Sequence, residues 1–98
     1  MDCDFIVIGA GSAGCVVANR LTESGRHHVL LLEAGPSDRQ AWVQIPIGYG
    51  KTFYNPRVNW MYLTEPVPGF GNRVNYWPRG KVLGGSSSIN ALVYIRGQ

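Results

Sequence analysis

The first third of the chain places a glycine-rich turn between a short apolar run and an amphipathic stretch. The run FIVI, residues 5–8, is β-branched at three of its four positions, which favours a strand buried on both faces of a parallel sheet. Apolar residues then recur at helical spacing through residues 13–21, and residues 29–32 form a second all-apolar run. The order strand, helix, strand predicts a βαβ unit over residues 4–34, with Gly25 ending the helix.

The turn itself has the sequence GAGSAG, residues 9–14. Gly9 permits a tight turn out of the strand, Gly11 lets a pyrophosphate approach the backbone, and Gly14 allows the helix and strand to pack closely. Unpaired N–H groups at the start of the helix favour an anion. Glu33, after the second strand, can accept a hydrogen bond from a ribose 2′-hydroxyl and would repel the 2′-phosphate of NADP. The pattern predicts a dinucleotide site for FAD or NAD, the alternative being glycines that serve only as turns.

Residues 36–78 lose this periodicity and are rich in glycine, proline and aromatic residues. Long irregular segments inside compact domains tend to be functional. Alternation over residues 60–64 predicts one short strand before Pro66. The aromatic side chains either cover a small core or line a pocket for a flat cofactor or apolar substrate, and we assign Trp60 to the pocket.

A second glycine-rich stretch, PRGKVLGGSSSIN, covers residues 78–90. Residues 84–85 are glycines that leave the backbone bare, and the serines at 86–88 offer hydroxyl and N–H groups that can hold phosphate oxygens. Arg79 adds a nearby positive charge. A flexible linker fits less well, because an apolar segment, residues 90–94, follows and can lie along a flat ligand.

Composition excludes several classes of function. The chain has 98 residues, enough for at most one domain, and its 45% hydrophobic and 15% charged residues indicate a globular protein. The net charge of +3 is scattered, whereas a nucleic-acid surface needs a basic stripe. Cys3 and Cys15 do not make a disulfide framework, and with His27 and His28 in an expected surface turn no metal site is expected. The first apolar run is too short for a signal peptide or membrane span, so we expect a cytoplasmic protein.

Together these segments resemble the glucose–methanol–choline (GMC) family of FAD-dependent oxidoreductases, particularly its choline-dehydrogenase-like members. The matching stretches are DFIVIGAGSAGCVVANRL with VLLLEAG, then NWMYLTEP, then RGKVLGGSSSINALVYIRG. The resemblance implies that residues 1–98 are the N-terminal part of a GMC-type FAD-binding domain, an incomplete α/β unit of the Rossmann type. Its parts are the βαβ unit at 4–34, the irregular segment at 36–78 and the flavin-contact signature at 78–97.

The resemblance also implies which residues contact the cofactor, and it requires the two glycine-rich stretches to converge on one trough. Those assigned to the FAD pyrophosphate are Gly9, Gly11, Ser12, Ala13 and Gly14. Glu33 would hold the adenosine ribose with Ala34 beside it, and Trp60 would lie toward the flavin half. Those assigned to the diphosphate and ribityl chain are Val82, Gly84, Gly85 and Ser86. Those whose backbone would follow the flavin ring are Asn90, Ala91, Leu92 and Val93.

In this family a small-molecule alcohol gives a hydride to flavin N5 and a proton to a histidine far downstream, which a second histidine or an asparagine assists. The resemblance therefore assigns no catalytic residue to this chain, and we expect an N-terminal piece of a longer enzyme that is inactive alone. Some members bond the flavin covalently to a histidine where this chain has Ile89, so FAD is expected to be non-covalent. The alternatives are a non-catalytic dinucleotide-binding module and an NAD-dependent Rossmann enzyme.

Overall fold

The computed structural model describes residues 2–97, so Met1 and Gln98, the ends of the expected 1–98 unit, lie outside the described residues. The first elements follow the predicted order of strand, helix and strand: β1 (Phe5–Ile8), α1 (Ser12–Thr22) and β2 (Val29–Leu32). The two strands pair in parallel along all four of their residues. The predicted α/β class and βαβ order are therefore confirmed.

Glycines explain how the chain leaves β1 and how α1 ends. Gly9 has φ +94°, a backbone conformation that L side chains rarely adopt. A Cβ at Gly14 would lie 1.9 Å from the carbonyl oxygen of Gly9, so close packing of α1 against this turn requires glycine. At the other end the helix stops at Thr22, whose carbonyl accepts a hydrogen bond of 2.9 Å from the left-handed Gly25.

The middle of the chain contains only short regular elements among its described residues. These elements are α2 (Ala41–Gln44), α3 (Tyr49–Thr52), β3 (Tyr62–Leu63), β4 (Tyr76–Trp77) and two single 3₁₀ turns, Pro46–Gly48 and Pro68–Phe70. The two strands pair antiparallel, with Tyr62 opposite Trp77. The short strand predicted before Pro66 is therefore confirmed, and its partner strand lies in a segment without a periodic pattern.

A small core lies beneath the second glycine-rich stretch and not beneath the parallel sheet. Val58, Val82 and Ile89 are buried there, with Val43 packed against them. In β1, by contrast, Ile8 is 85% exposed. The expectation that β1 is buried on both faces is wrong for the described residues, because two strands and one helix leave apolar faces uncovered.

Candidate functional site

Backbone contacts bring the two glycine-rich stretches together, as the site assignment requires. The Gly84 N–H donates to the carbonyl oxygen of Ala10 at 2.8 Å, and Gly84 forms a parallel bridge with Gly11. A Cβ at Gly85 would lie 2.8 Å from the Cα of Gly11, so the bare backbone of one turn rests on that of the other. The absence of side chains at these glycines therefore allows the two turns to pack together, and it would also allow a ligand to come close to the backbone.

The second stretch is held from its other side by residues 58–60. Two backbone hydrogen bonds of 2.7 and 2.8 Å join residues 58–60 to residues 79–81 in antiparallel fashion. A Cβ at Gly80 would lie 2.2 Å from the carbonyl oxygen of Gly85, so this position also requires glycine. The second stretch is thus fixed between the first turn and the segment that carries Trp60.

Asn59 is the buried polar side chain that organises this junction, and it was not among the predicted site residues. It is only 2% exposed. Its Oδ1 accepts hydrogen bonds from the N–H groups of Met61 at 2.9 Å and Arg79 at 3.0 Å, while its Nδ2 donates to the carbonyl oxygen of Phe53 at 2.9 Å. The sequence signal that could have found it is a polar residue between the apolar Val58 and the aromatic run that follows.

An open groove with a volume of about 630 Å³ runs along the joined turns. This volume lies within the range of about 300–1,000 Å³ that is usual for small-molecule sites. The predicted cofactor residues that line it are Gly9, Gly11, Glu33, Ala34, Trp60, Gly85 and Ser86. The lining residues that the prediction left out are Ile8, Leu32, Tyr62, Arg79 and Gly80.

Other predicted residues lie next to the groove without lining it. Ser12, Ala13 and Gly14 form the first turn of α1, whose N–H groups have no intrahelical partners. Val82 is fully buried in the core, which leaves only its backbone for a ligand. The Gly84 N–H is already donated to Ala10 in the first glycine-rich turn. Close approach at these positions would involve the main chain.

The last four predicted residues divide into two pairs. Asn90 and Ala91 line a second, smaller cavity of about 220 Å³, which shares Arg79 and Ser86 with the main groove. Leu92 and Val93 are exposed and do not line either cavity. Of the segment assigned to the flavin, residues 90–91 therefore lie beside the groove, whereas residues 92–93 do not contact it.

The three serines of the second stretch differ in what their hydroxyl groups do. Ser87 Oγ donates to the carbonyl oxygen of Gly84 at 2.7 Å, and Ser88 Oγ donates to that of Leu83 at 2.8 Å. The expectation that these hydroxyls are offered to a phosphate is wrong for both, because they satisfy carbonyl groups of their own turn. Ser86 instead faces the groove, and its oxygen accepts a hydrogen bond from the backbone of Gly80.

Trp60 and Tyr62 form one side of the groove, here called the aromatic wall. Their rings are parallel within 3°, with centroids 5.9 Å apart. Lys81 Nζ lies 4.8 Å from the centroid of the Trp60 ring, within the range of a cation–π contact. Both side chains line the groove and are about half exposed, so they offer apolar surface to a ligand and are not part of the buried core.

The Glu33 carboxylate is already bound to the backbone on both of its oxygens. Oε2 accepts a hydrogen bond from the Ala10 N–H at 2.8 Å, and Oε1 accepts one from the Gly35 N–H at 3.0 Å. The sequence interpretation gave this side chain to a ribose alone. It thus has a role within the protein that the motif did not reveal.

Neither the histidines nor the cysteines line this groove, although Cys15 Sγ lies 3.3 Å from the carbonyl oxygen of Ala10 in the first glycine-rich turn. His27 and His28 are exposed between α1 and β2, and Cys3 and Cys15 are free thiols. Among residues 2–97 there is no cluster of three or more histidine, cysteine, aspartate or glutamate side chains suited to a metal ion. Nor does any helix in that range have the length and apolar character needed to cross a membrane.

Comparison with known proteins gives a family match over nearly the whole chain. The family model described as GMC oxidoreductase matches residues 3–98. The mouse protein named mitochondrial choline dehydrogenase is 56% identical over 95% of this chain. The Pseudomonas putida protein named alcohol dehydrogenase [acceptor] is 51% identical over 96% of it.

A solved structure agrees with these relatives. The FAD-dependent oxidoreductase from Chaetomium thermophilum superposes with a TM-score of 0.76 and is 37% identical over 98% of this chain. The chain spans 17% of the length of each of the two curated relatives and 16% of the solved chain. The match is therefore to one segment of much longer proteins.

Proposed function

Because the chain belongs to the GMC oxidoreductase family, we propose that it forms the N-terminal, FAD-binding part of a flavin-dependent oxidoreductase that acts on the CH–OH group of an alcohol. In this proposal residues 1–98 belong to one FAD-binding domain. Its βαβ unit covers 4–34, its irregular segment covers 36–78, and its flavin-contact signature covers 78–97. The chain contributes residues that bind the cofactor, and the catalytic histidine pair lies in other parts of the protein.

The observation that carries the proposal is that both glycine-rich turns border a single groove. The features along it suit successive parts of an elongated dinucleotide. The start of α1 presents N–H groups for a pyrophosphate, the bare turns let it come close to the backbone, and Arg79 adds positive charge. Glu33 offers acceptor oxygens for ribose hydroxyls, and the aromatic wall offers flat apolar surface for a ring.

FAD is favoured over NAD by the second turn. An NAD site of the Rossmann type is built on the first βαβ unit, and it has no evident use for residues 84–86. Here Gly84 is bonded to the first glycine-rich turn, and Gly85 and Ser86 line the same groove. The solved relative named above is itself described as FAD-dependent.

Each predicted residue has a proposed place along the cofactor, from its adenosine end to its flavin end. The adenosine end would lie by Glu33 and Ala34. The pyrophosphate and ribityl chain would be held by Gly9, Gly11, Ser12, Ala13, Gly14, Val82, Gly84, Gly85 and Ser86. The flavin end would be bordered by Trp60, Asn90, Ala91, Leu92 and Val93. When bound there, FAD would supply the acceptor for the hydride that an alcohol carbon loses as it becomes a carbonyl carbon.

We propose that the cofactor is held without a covalent bond. Ile89, which stands where some family members carry a flavin-linked histidine, is buried in the core and has no nucleophilic atom. Acid precipitation of the holoprotein is therefore expected to leave the flavin in the supernatant. Flavin that stays with the precipitate would show that another side chain forms the bond.

The proposed substrate is a small alcohol, as the names of the two relatives suggest for those proteins. In the balanced reaction the alcohol gives one hydride to the cofactor and one proton to a base outside this chain. The chain by itself is therefore expected to be inactive. The cytoplasmic location expected from the sequence stays a prediction.

The test is a comparison of the full-length protein that contains this chain with its groove variant Arg79→Met. We expect the wild type to retain flavin through gel filtration, to bind FAD more tightly than NAD, and to reduce its flavin when an alcohol is added. Arg79→Met removes the charge that borders the groove and is expected to weaken FAD binding by about tenfold. The control Arg73→Met makes the same change at an exposed position elsewhere. Tighter binding of NAD would contradict the proposal, and a flavin-loaded protein that no alcohol reduces would favour a non-catalytic module.

A further inference from the structure

The unexpected feature of the groove is how Glu33 is bound. Its side chain spans from the first glycine-rich turn to the turn after β2, because one oxygen accepts the Ala10 N–H and the other accepts the Gly35 N–H. Ala10 is fully buried, so its N–H depends on a partner within the protein. A residue whose sole task was to meet a ribose in solvent would not need either contact.

These two hydrogen bonds are part of a closed ring of contacts. From Ala10 the ring continues through its carbonyl oxygen, which accepts the N–H of Gly84 at 2.8 Å. The neighbouring Leu83 N–H donates to the carbonyl oxygen of Pro36 at 3.0 Å, and the adjacent Gly35 returns the ring to Glu33. The ring therefore joins both glycine-rich turns through one carboxylate.

The turn at Gly35 is also pressed against the second stretch. A Cβ at Gly35 would lie 1.9 Å from the carbonyl oxygen of Lys81, so the two backbones are in direct contact. Whatever fixes Gly35 consequently fixes the position of residues 81–84 as well. Glu33 is the side chain that ties this contact to Ala10.

We propose that Glu33 is a positioning residue that holds the two glycine-rich turns in register before any cofactor binds, in addition to its proposed contact with the ribose. This inference rests on the proposed function for the identity of the ligand. The two roles are compatible, since an ionised carboxylate has about four acceptor positions and the backbone uses two. The remaining positions can accept ribose hydroxyls without breaking the ring.

The chemistry of the ring specifies a carboxylate. Both partners are N–H donors, so both side-chain oxygens must be acceptors. Glutamine would turn one donor group toward a donor, and one of the two hydrogen bonds would be lost. Aspartate is shorter by one methylene and cannot span both N–H groups from the same backbone position.

The first experiment measures the binding of two ligands by the full-length protein and by its Glu33→Gln variant. The ligands are FAD and an FAD analogue whose adenosine carries a 2′,3′-dideoxyribose, which has no hydroxyl for Glu33 to meet. We expect Glu33→Gln to weaken binding of both ligands by about tenfold or more, because the phosphate-binding turns lose their register. If the variant binds the analogue as tightly as the wild type does, Glu33 is a ribose ligand alone and the positioning role is wrong. The control Glu65→Gln alters an exposed carboxylate and should change neither affinity.

The second experiment needs no variant and no cofactor. Amide hydrogen exchange of the cofactor-stripped wild-type protein should show the Ala10 and Gly35 N–H groups protected by at least about tenfold relative to an unstructured chain. Exchange at the unstructured rate would overturn the inference even if Glu33→Gln failed to fold. A wild type that binds no FAD would end the proposed function, while this protection would still decide the positioning role.

Discussion

The two halves of the 78–97 signature behave differently in the same structure. Residues 78–89, here called the anchored half, are held by backbone hydrogen bonds to the first turn and to residues 58–60. Residues 90–97, here called the exposed half, contain no regular element and present their large apolar side chains to solvent. A single isoleucine in each half shows the contrast, since Ile89 is 3% exposed and Ile95 is 84% exposed.

This contrast separates the part of the candidate site that the chain orders through its own contacts from the part that it does not. The anchored half lies where bare backbone meets bare backbone, so its order depends on residues within this chain. The exposed half is apolar and has little to pack against among the described residues, although Leu92 adopts φ +58° and its N–H is bonded to Asn90 Oδ1. We therefore expect its order to come from FAD or from further polypeptide.

The largest effect is expected from a side chain at Gly80 in the anchored half. Gly80→Val would place a Cβ 2.2 Å from the Gly85 carbonyl oxygen, and backbone on both sides leaves little room to move. We expect a loss of more than about 3 kcal/mol in the free energy of unfolding, measured by urea denaturation. The matched change Gly97→Val, in the exposed half, enters open space and should cost less than about 0.5 kcal/mol. Equal losses would remove the distinction between the halves.

The next largest effect is the difference in stability lost when each of the two isoleucines is truncated. Ile89→Ala opens a cavity against Val58 and Val82 and should destabilise the protein by about 3 kcal/mol. Ile95→Ala removes an exposed side chain and should be close to neutral in the absence of FAD. Thermal unfolding of both variants measures the difference. A substantial cost for Ile95→Ala would mean that the exposed half is buried in solution.

A somewhat smaller effect is expected at the asparagine that supports the anchored half. Asn59→Ala leaves the N–H groups of Met61 and Arg79 without their side-chain acceptor, and we expect a loss of about 2 kcal/mol as water partly replaces it. Asn90→Ala removes one exposed hydrogen bond to Leu92 and should cost about 0.5 kcal/mol or less. Denaturant titration of the two variants checks the ratio, and a ratio near one would contradict the assigned role of Asn59.

The sequence predicted the first unit well because its signals are local. Continuous apolar runs without alternation mark β1 and β2, and the glycines at 9 and 14 carry a steric requirement that the structure shows directly. It also predicted that the two glycine-rich stretches share one site. Those inferences needed only residue type, spacing and a family resemblance.

What the sequence could not predict depends on contacts between distant segments. The hydrogen bond that the Ala10 N–H donates to Glu33 joins residues 23 apart, and the one that the Arg79 N–H donates to Asn59 joins residues 20 apart. The inward side chain of Val82 and the self-bonded Ser87 follow from how the second turn folds back on its own carbonyls. No periodicity records such pairings, so the motif could not show which atoms of this stretch are already engaged within the protein.

The smallest expected effect lies at the outer edge of the anchored half, where Lys81 rests over Trp60. Lys81→Met keeps most of the aliphatic chain and removes the cation, so it should cost about 0.5 kcal/mol, the usual size of a cation–π contact at an accessible site. Lys51→Met makes the same change at an exposed position in α3 and should cost nothing measurable. If Lys81→Met instead cost as much as Ile89→Ala, the anchored half would be held chiefly by its surface contact with the aromatic wall. The anchored half would then lose order when a ligand displaces Lys81. Both halves would in that case depend on a ligand for their order, and they would differ only in how strongly.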